Sequence, residues 1–222
     1  MNFHIITIFP EIFESYFNES IIKRAEENGL INIRTYDLRD WTEDKHRKVD
    51  DAPFGGGAGM VMKAKPIYKA IQDLKKKVDP SHKVVLLSAR GKKWTQRKAQ
   101  KYSKLHDIIL ICGRYEEVDE RVRYFIDEEI SIGEYVLTGG EIPAMVVVDS
   151  VARLIPGVLG NEASLNEESH TKPGQIEYPQ YTRPRVLKAG NKEYAVPDVL
   201  LSGDHKEIEE WRRKNSKFKK DK

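Results

Sequence analysis

Residues 83–112 read KVVLLSARGKKWTQRKAQKYSKLHDIILIC, and the fold turns on how this stretch is read. It opens and closes on two near-continuous apolar runs, 83–88 (KVVLLS) and 107–112 (DIILIC). Neither run alternates apolar with polar residues, so each strand is expected to be buried on both faces, as in a parallel sheet covered by helices. Between them, residues 94–103 contain neither proline nor glycine and read as a basic helix.

Outward from this unit the alternation of strand and helix continues. Residues 3–8 form a short apolar strand, and Pro10 suits the first turn of a helix. In that helix Ile12, Phe13, Tyr16, Phe17, Ile21 and Ile22 recur at helical spacing, and Asn28-Gly29 is its stop. A second strand is read at 30–36, a helix at 66–77, a short strand at 129–132 and a helix near 141–155. The predicted class is α/β, a mostly parallel sheet with helices on both faces. No internal repeat or low-complexity run is visible.

With 222 residues, 39% hydrophobic, 15 Gly and 10 Pro, the composition is that of an ordinary globular protein and excludes collagen-like or wholly disordered classes. A single cysteine, Cys112, excludes an intramolecular disulfide framework and a multi-cysteine zinc site. At the end of an apolar strand it reads as a buried thiol rather than a nucleophile. The six histidines are scattered with no pair at metal-ligand spacing. No run approaches the 18 or so apolar residues of a membrane span, and no basic segment precedes the first apolar residues. A soluble, cytoplasmic protein without membrane contact is expected.

The net charge of +3 is segregated along the chain. Residues 83–104 carry eight basic side chains and no acid, residues 116–129 carry seven acids against two arginines, and residues 205–222 carry eight basic against four acidic. Two readings stand: solvated helix faces, or surfaces that meet a polyanion.

Composition shifts after Gly160. Residues 161–175 are polar and read as a linker or mobile loop, placing a boundary between 160 and 177. Beyond it a small C-terminal segment ends in a helix. Asp204 is its candidate N-cap with Glu207 at capping-box spacing, and Glu209 and Glu210 precede Arg213 and Lys214 by four residues. Ile208, Trp211 and Phe218 are read as its buried stripe.

Four glycine-rich stretches are candidates for chemistry. The first, 54–60 (FGGGAGM), follows Asp50 and Asp51; it matches neither a phosphate loop nor a dinucleotide fingerprint. It reads either as a flexible linker or as a place where backbone approaches something flat or phosphorylated. The others are 88–91 (SARG), 112–116 (CGRYE) and 132–140 (IGEYVLTGG), each leaving a strand. In open parallel sheets ligands bind beyond the carboxyl ends of strands, and three such turns at successive strand ends exceed what tight turns alone require.

The runs VDDAPFGGGAGM, CGRYEEVDER, ISIGEYVLTGGE, DSVARLIPGVLGNEAS and YPQYTRPRV, with VPDVLLSGDHKEIEEWR nearer the C-terminus, occur in order and resemble the bacterial tRNA (guanine-N1)-methyltransferases of the SPOUT superfamily. The resemblance implies a trefoil knot in an S-adenosylmethionine-binding domain over 1–160, a mobile linker over 161–176, and a small, mainly helical tRNA-binding domain over 177–222. It implies methylation of guanine N1 at the guanosine immediately 3′ of the anticodon (position 37), and a homodimer with active sites at the subunit interface. By the same resemblance the donor is bound by Leu86, Leu87 and Ser88; by Gly113, Tyr115 and Glu116; and by Ile132, Gly133, Glu134, Tyr135, Val136 and Leu137 with Gly139 and Gly140. Asp50, Gly57 and Gly59 match positions that engage the target guanine, Arg153 matches an arginine beside it, and Glu168 stands where the family carries the aspartate general base. A magnesium requirement also comes with the resemblance, although the acids present form no recognisable ligand set.

The chemistry agrees in kind. Guanine N1 carries a proton, so a carboxylate within hydrogen-bond reach and a cation beside O6 suit its methylation. Four departures are visible: Ser88-Ala89-Arg90-Gly91 where Ser-Pro-x-Gly is common, Glu117 where glycine is usual, Glu177 in an acidic slot otherwise held by aspartate, and a chain that ends at Lys222, earlier than expected. A knotted methyltransferase acting on ribosomal RNA and a non-catalytic RNA-binding module remain as alternatives, the second disfavoured by the full set of donor-loop residues.

Overall fold

The structure is a computed structural model and describes residues 1–160, 168–170 and 174–218. The chain divides into two compact units, Met1–Gly160 and Asn161–Lys222. In the first, β1 (Asn2–Thr7) leads through a 3-10 turn (Pro10–Phe13) to α1 (Glu14–Phe17), α2 (Ser20–Glu27) and β2 (Asn32–Asp37). After a 3-10 turn (Leu38–Trp41) come β3 (Asp50–Asp51), β4 (Val61–Met62), α3 (Ala64–Lys75), β5 (His82–Lys93), α4 (Gln96–Tyr102) and β6 (Asp107–Cys112). A further 3-10 turn (Glu120–Phe125), β7 (Glu128–Ser131) and α5 (Glu141–Ala152) complete it.

Five strands form one sheet in the order β2-β1-β6-β5-β7, and every pairing is parallel. The two apolar runs thus become neighbours at the middle of the sheet, and all six residues of β6 are buried. Side chains alternate between two cores, as the pleat requires. Phe3, Ile5, Val85, Leu87, Ile108 and Leu110 face α1, α2, α4 and α5, while Ile6, Val84, Leu86, Ile109 and Ile111 face α3 and the 3-10 turns. Each wholly buried Leu or Ile contributes about 1.5–3 kcal/mol relative to exposure.

At the amino ends of the strands a polar cluster closes the sheet. Asp107, nearly inaccessible, accepts from Asn2 Nδ2 (3.0 Å), His4 Nε2 (3.0 Å) and the Asp79 amide (3.1 Å), and His4 Nδ1 meets the Tyr36 hydroxyl at 3.1 Å. Burial pushes the Asp107 carboxyl up, but the hydrogen bonds from His4, Asp79 and Asn2 outweigh it and hold the group below its ordinary range.

The single helix read from Pro10 to Asn28 is corrected to three pieces, with Ser20 in the left-handed region at φ 52°. At 3.6 residues per turn an unbroken helix would carry Ile22 about 140° around from Phe17. The break returns Ile22 and Ala25 to the core that Phe13 and Phe17 already fill, leaving Ile12 and Tyr16 exposed.

In the second unit, β8 (Gln175–Ile176), β9 (Val186–Ala189), β10 (Lys192–Ala195), a 3-10 turn (Asp198–Leu201), α6 (His205–Asn215) and β11 (Lys217–Phe218) are formed. The β9–β10 hairpin and the β8–β11 pair, both antiparallel, have no counterpart in the sequence reading. Asp204 caps α6 by accepting from the Lys206 and Glu207 amides (2.9 and 3.1 Å), and Glu210 pairs with Lys214 at 2.8 Å. Phe218 is not part of a buried stripe: it stands exposed on β11. Ile208 and Trp211 are half-buried, with Trp211 edge-on to Tyr178 and Tyr181. Most of the expected linker lies outside the described residues.

Candidate functional site

Because β6, β5 and β7 are adjacent and parallel, their carboxyl ends deliver three loops to one edge of the sheet. The loops enclose a cleft of about 300 Å3. Leu87 and Ser88 reach it from β5, and Gly113, Tyr115 and Glu116 from the loop after β6. From the segment between β7 and α5 come Ile132, Gly133, Tyr135, Val136, Leu137, Gly139 and Gly140. Leu86 lies one residue before Leu87 on the pleat, so its side chain points into the opposite core, wholly buried and away from the cleft. Glu134 is exposed and does not line it.

Two local features shape the walls. A Cβ on Gly140 would overlap the backbone of Cys112 and Gly113, so only glycine lets the head of α5 close on β6, where the Gly140 amide donates to the Gly113 carbonyl at 2.9 Å. Tyr115 holds φ 62°, uncommon for a bulky residue. Directly after this turn the Glu116 amide donates to the Met60 carbonyl (3.1 Å), and the Met62 amide donates to the Glu117 carbonyl (3.0 Å).

Those bonds attach the glycine-rich segment to the cleft. Residues 52–60 connect β3 and β4, a short antiparallel pair in which Asp50 opposes Met62. Gly59, at φ 81°, lies against the Glu116 side chain, whereas a Cβ on Gly57 would meet only Pro53. Asp50 is half-buried at the foot of the hairpin, and Phe54 is fully exposed on its loop. So the structure brings Gly59 to Glu116 on the cleft wall, a proximity that spacing alone does not reveal.

Beneath the cleft lies a carboxylate that the sequence reading missed. Glu141, the first residue of α5, is 1% exposed; it accepts from Thr7 Oγ1 (2.8 Å) and pairs with Arg114 Nε (2.9 Å). The Arg114 guanidinium also lies 4.7 Å from the centre of the Phe9 ring. A buried charge of this kind is tolerated because it is paired, hydrogen-bonded and set at the positive end of a helix. The available signal is an acid directly after Gly139-Gly140 at the head of the apolar run Ile142–Val148. Cys112 is buried as expected, and burial first, then the Glu141 charge, pushes its thiol well up against the opposing Arg114.

Arg153 is half-buried and stands just past α5 as its C-cap, not within the helix. Glu168 belongs to the second unit and is half-buried, flanked by 161–167 and 171–173, which lie outside the described residues.

A parallel sheet with a glycine-walled cleft at its carboxyl edge defines the chain as an α/β protein of the small-ligand-binding kind. The profile described as tRNA (Guanine-1)-methyltransferase TrmD matches residues 1–222, and the chain belongs to that family of enzymes. A tRNA (guanine-N(1)-)-methyltransferase of Dictyoglomus turgidum is 58% identical over 212 residues, covering 96% of this chain and 83% of the relative. The protein of the same name from Clostridioides difficile is 52% identical over 222 residues, 97% of this chain and 92% of its own. No described helix is long and apolar enough to cross a membrane.

Proposed function

We propose that the chain methylates N1 of guanine in tRNA, with S-adenosylmethionine as donor, at the guanosine immediately 3′ of the anticodon. The observation that carries this reading is the cleft built by three strand-end loops, within a family whose members bear that activity in their name. Its lining suits the donor: Leu87, Ile132 and Leu137 offer apolar walls for an adenine, and Gly133 and Gly139 let backbone approach it with no Cβ between. When bound, S-adenosylmethionine supplies an electrophilic methyl group. A trefoil knot in this unit belongs to the same reading.

The chain's own groups supply proton removal and positioning. Glu168 takes the N1 proton as general base, its side chain one methylene longer than the family's aspartate. Arg153 stands beside O6 and stabilises the negative charge that deprotonation leaves. Asp50, Gly57 and Gly59 hold the guanine, and the bonds from 60–62 to 116–117 keep that hairpin next to the donor loops. Among the described residues no group of three or more acids, histidines or cysteines is placed to hold a metal. Glu117 is engaged by Ser88 and Asp119 by Arg121, so these acids do not fit a magnesium site.

A homodimer belongs to the same reading. Phe9, Ile12 and Tyr16 are exposed apolar groups, as are Ile142 and Val146 of α5, and the Tyr16 hydroxyl donates to Asp149 of that helix at 2.5 Å. Such a patch suits a second copy of the chain.

Methyl incorporation into tRNA transcripts that differ only at the target base tests the proposal. Guanosine is expected to accept and adenosine not; equal incorporation, or none into either, sinks it. Glu168→Gln is expected to lose most turnover while donor binding survives.

A further inference from the structure

The ladder between β5 and β7 is interrupted in an unusual way. Leu87 pairs with Ile130, residues 88–91 leave the sheet, and Lys92 then pairs with Ile130 again. This excursion forms one rim of the cleft. Its far end is pinned by Gly91, where a Cβ would overlap the Ile130 backbone. Its near end is held by a side chain: Ser88 Oγ donates to Glu117 Oε2 at 2.8 Å and accepts from the Arg90 amide at 3.1 Å. The other Glu117 oxygen accepts from the Val118 amide (3.3 Å), and the Glu117 carbonyl accepts from Met62 of β4 (3.0 Å). The Arg90–Glu120 pair also spans these loops at 3.2 Å, but both side chains are more than half exposed and such a pair contributes little.

We propose that Glu117 is a positioning residue for the cleft, clamping the 88–91 rim to the 113–119 loop through Ser88 while its backbone ties in the glycine-rich hairpin; this rests on reading the cleft as the donor site. Glu117 touches no reacting atom in this role. It sets the width of the cleft by fixing two of its three loops to each other.

The test is titration calorimetry with S-adenosylmethionine on the full chain, alongside steady-state kinetics and thermal melting. Glu117→Ala is expected to weaken donor binding about tenfold, the scale of one hydrogen bond to a charged group. It should raise KM for the donor and leave KM for tRNA and the melting temperature nearly unchanged. Ser88→Ala should do the same, and the double variant should lose no more than either single change. Glu117→Gln keeps the acceptor and is expected to bind nearly as the parent does. An unchanged donor affinity in Glu117→Ala, losses that multiply in the double variant, or a Glu117→Gln as weak as Glu117→Ala would overturn the role of Glu117. Absence of donor binding by the parent chain would instead remove the donor-site reading beneath it.

Discussion

Asp107 shows how one residue's environment becomes a measurable property. Its carboxyl is held below the ordinary value near 3.8 despite burial, because three donors surround the ionised form. A carboxyl depressed in the folded state stabilises the protein above its unfolded pKa, and that contribution drains away as pH falls through about 4 toward the lower folded value. Asp107→Asn should therefore melt at lower temperature than the parent at pH 7, by about 1–3 kcal/mol of stability, and the gap should narrow toward pH 3. Circular-dichroism melts across that range check it; a constant gap would contradict it. Residues of this kind were the hardest to read in advance. In sequence Asp107 reads only as the start of a strand and Glu141 as the start of a helix, since burial depends on what packs above them. The three strand-end turns that wall the cleft are legible as turns, because glycine directly after an apolar strand marks close backbone approach.

Among the elements, β5 is the most informative. Its run 83–88 was legible as a strand, yet the strand extends to Lys93 after leaving and rejoining β7. Nothing in residues 89–93 has a strand's pattern; tertiary pairing with Ile130 and Ser131 imposes it. Gly91→Ala forces a methyl group into the Ile130 backbone, and a cost of about 1–3 kcal/mol is expected. A lowered urea midpoint together with weakened S-adenosylmethionine binding would show that the rim moved; a midpoint equal to the parent's would mean that β7 yields freely. The first helix teaches the complement. Of its apolar positions Phe13, Phe17 and Ile22 enter the core while Ile12 and Tyr16 stay exposed, and helical period could not reveal a break that only the position of Ile22 against Phe13 and Phe17 demands.

At the scale of the molecule, the segregated charge resolves into distinct surfaces. Lys98 pairs with Glu128, and Lys83 lies 3.8 Å from Asp127, so part of the basic run is neutralised internally. Arg97, Lys101 and Lys104 are exposed and enter no ion pair among the described residues, which leaves them available to phosphates. If all three meet tRNA, replacing them with Gln should flatten the plot of log affinity against log salt by about 0.7–0.9 for each contact removed. Filter binding across a salt series measures this, and an unchanged slope would place the RNA elsewhere. The strand order has a consequence of another sort. Asn2 lies beside Asp107, 105 residues later, so β1 cannot acquire its second neighbour until most of the first unit exists. At synthesis rates of roughly 5–20 residues per second, the nascent β1 waits about 5–20 s with the backbone N–H and C=O groups of one edge unpaired. That interval, set by topology rather than by any single contact, is when the newborn chain is most exposed to misassociation and has most to gain from a chaperone.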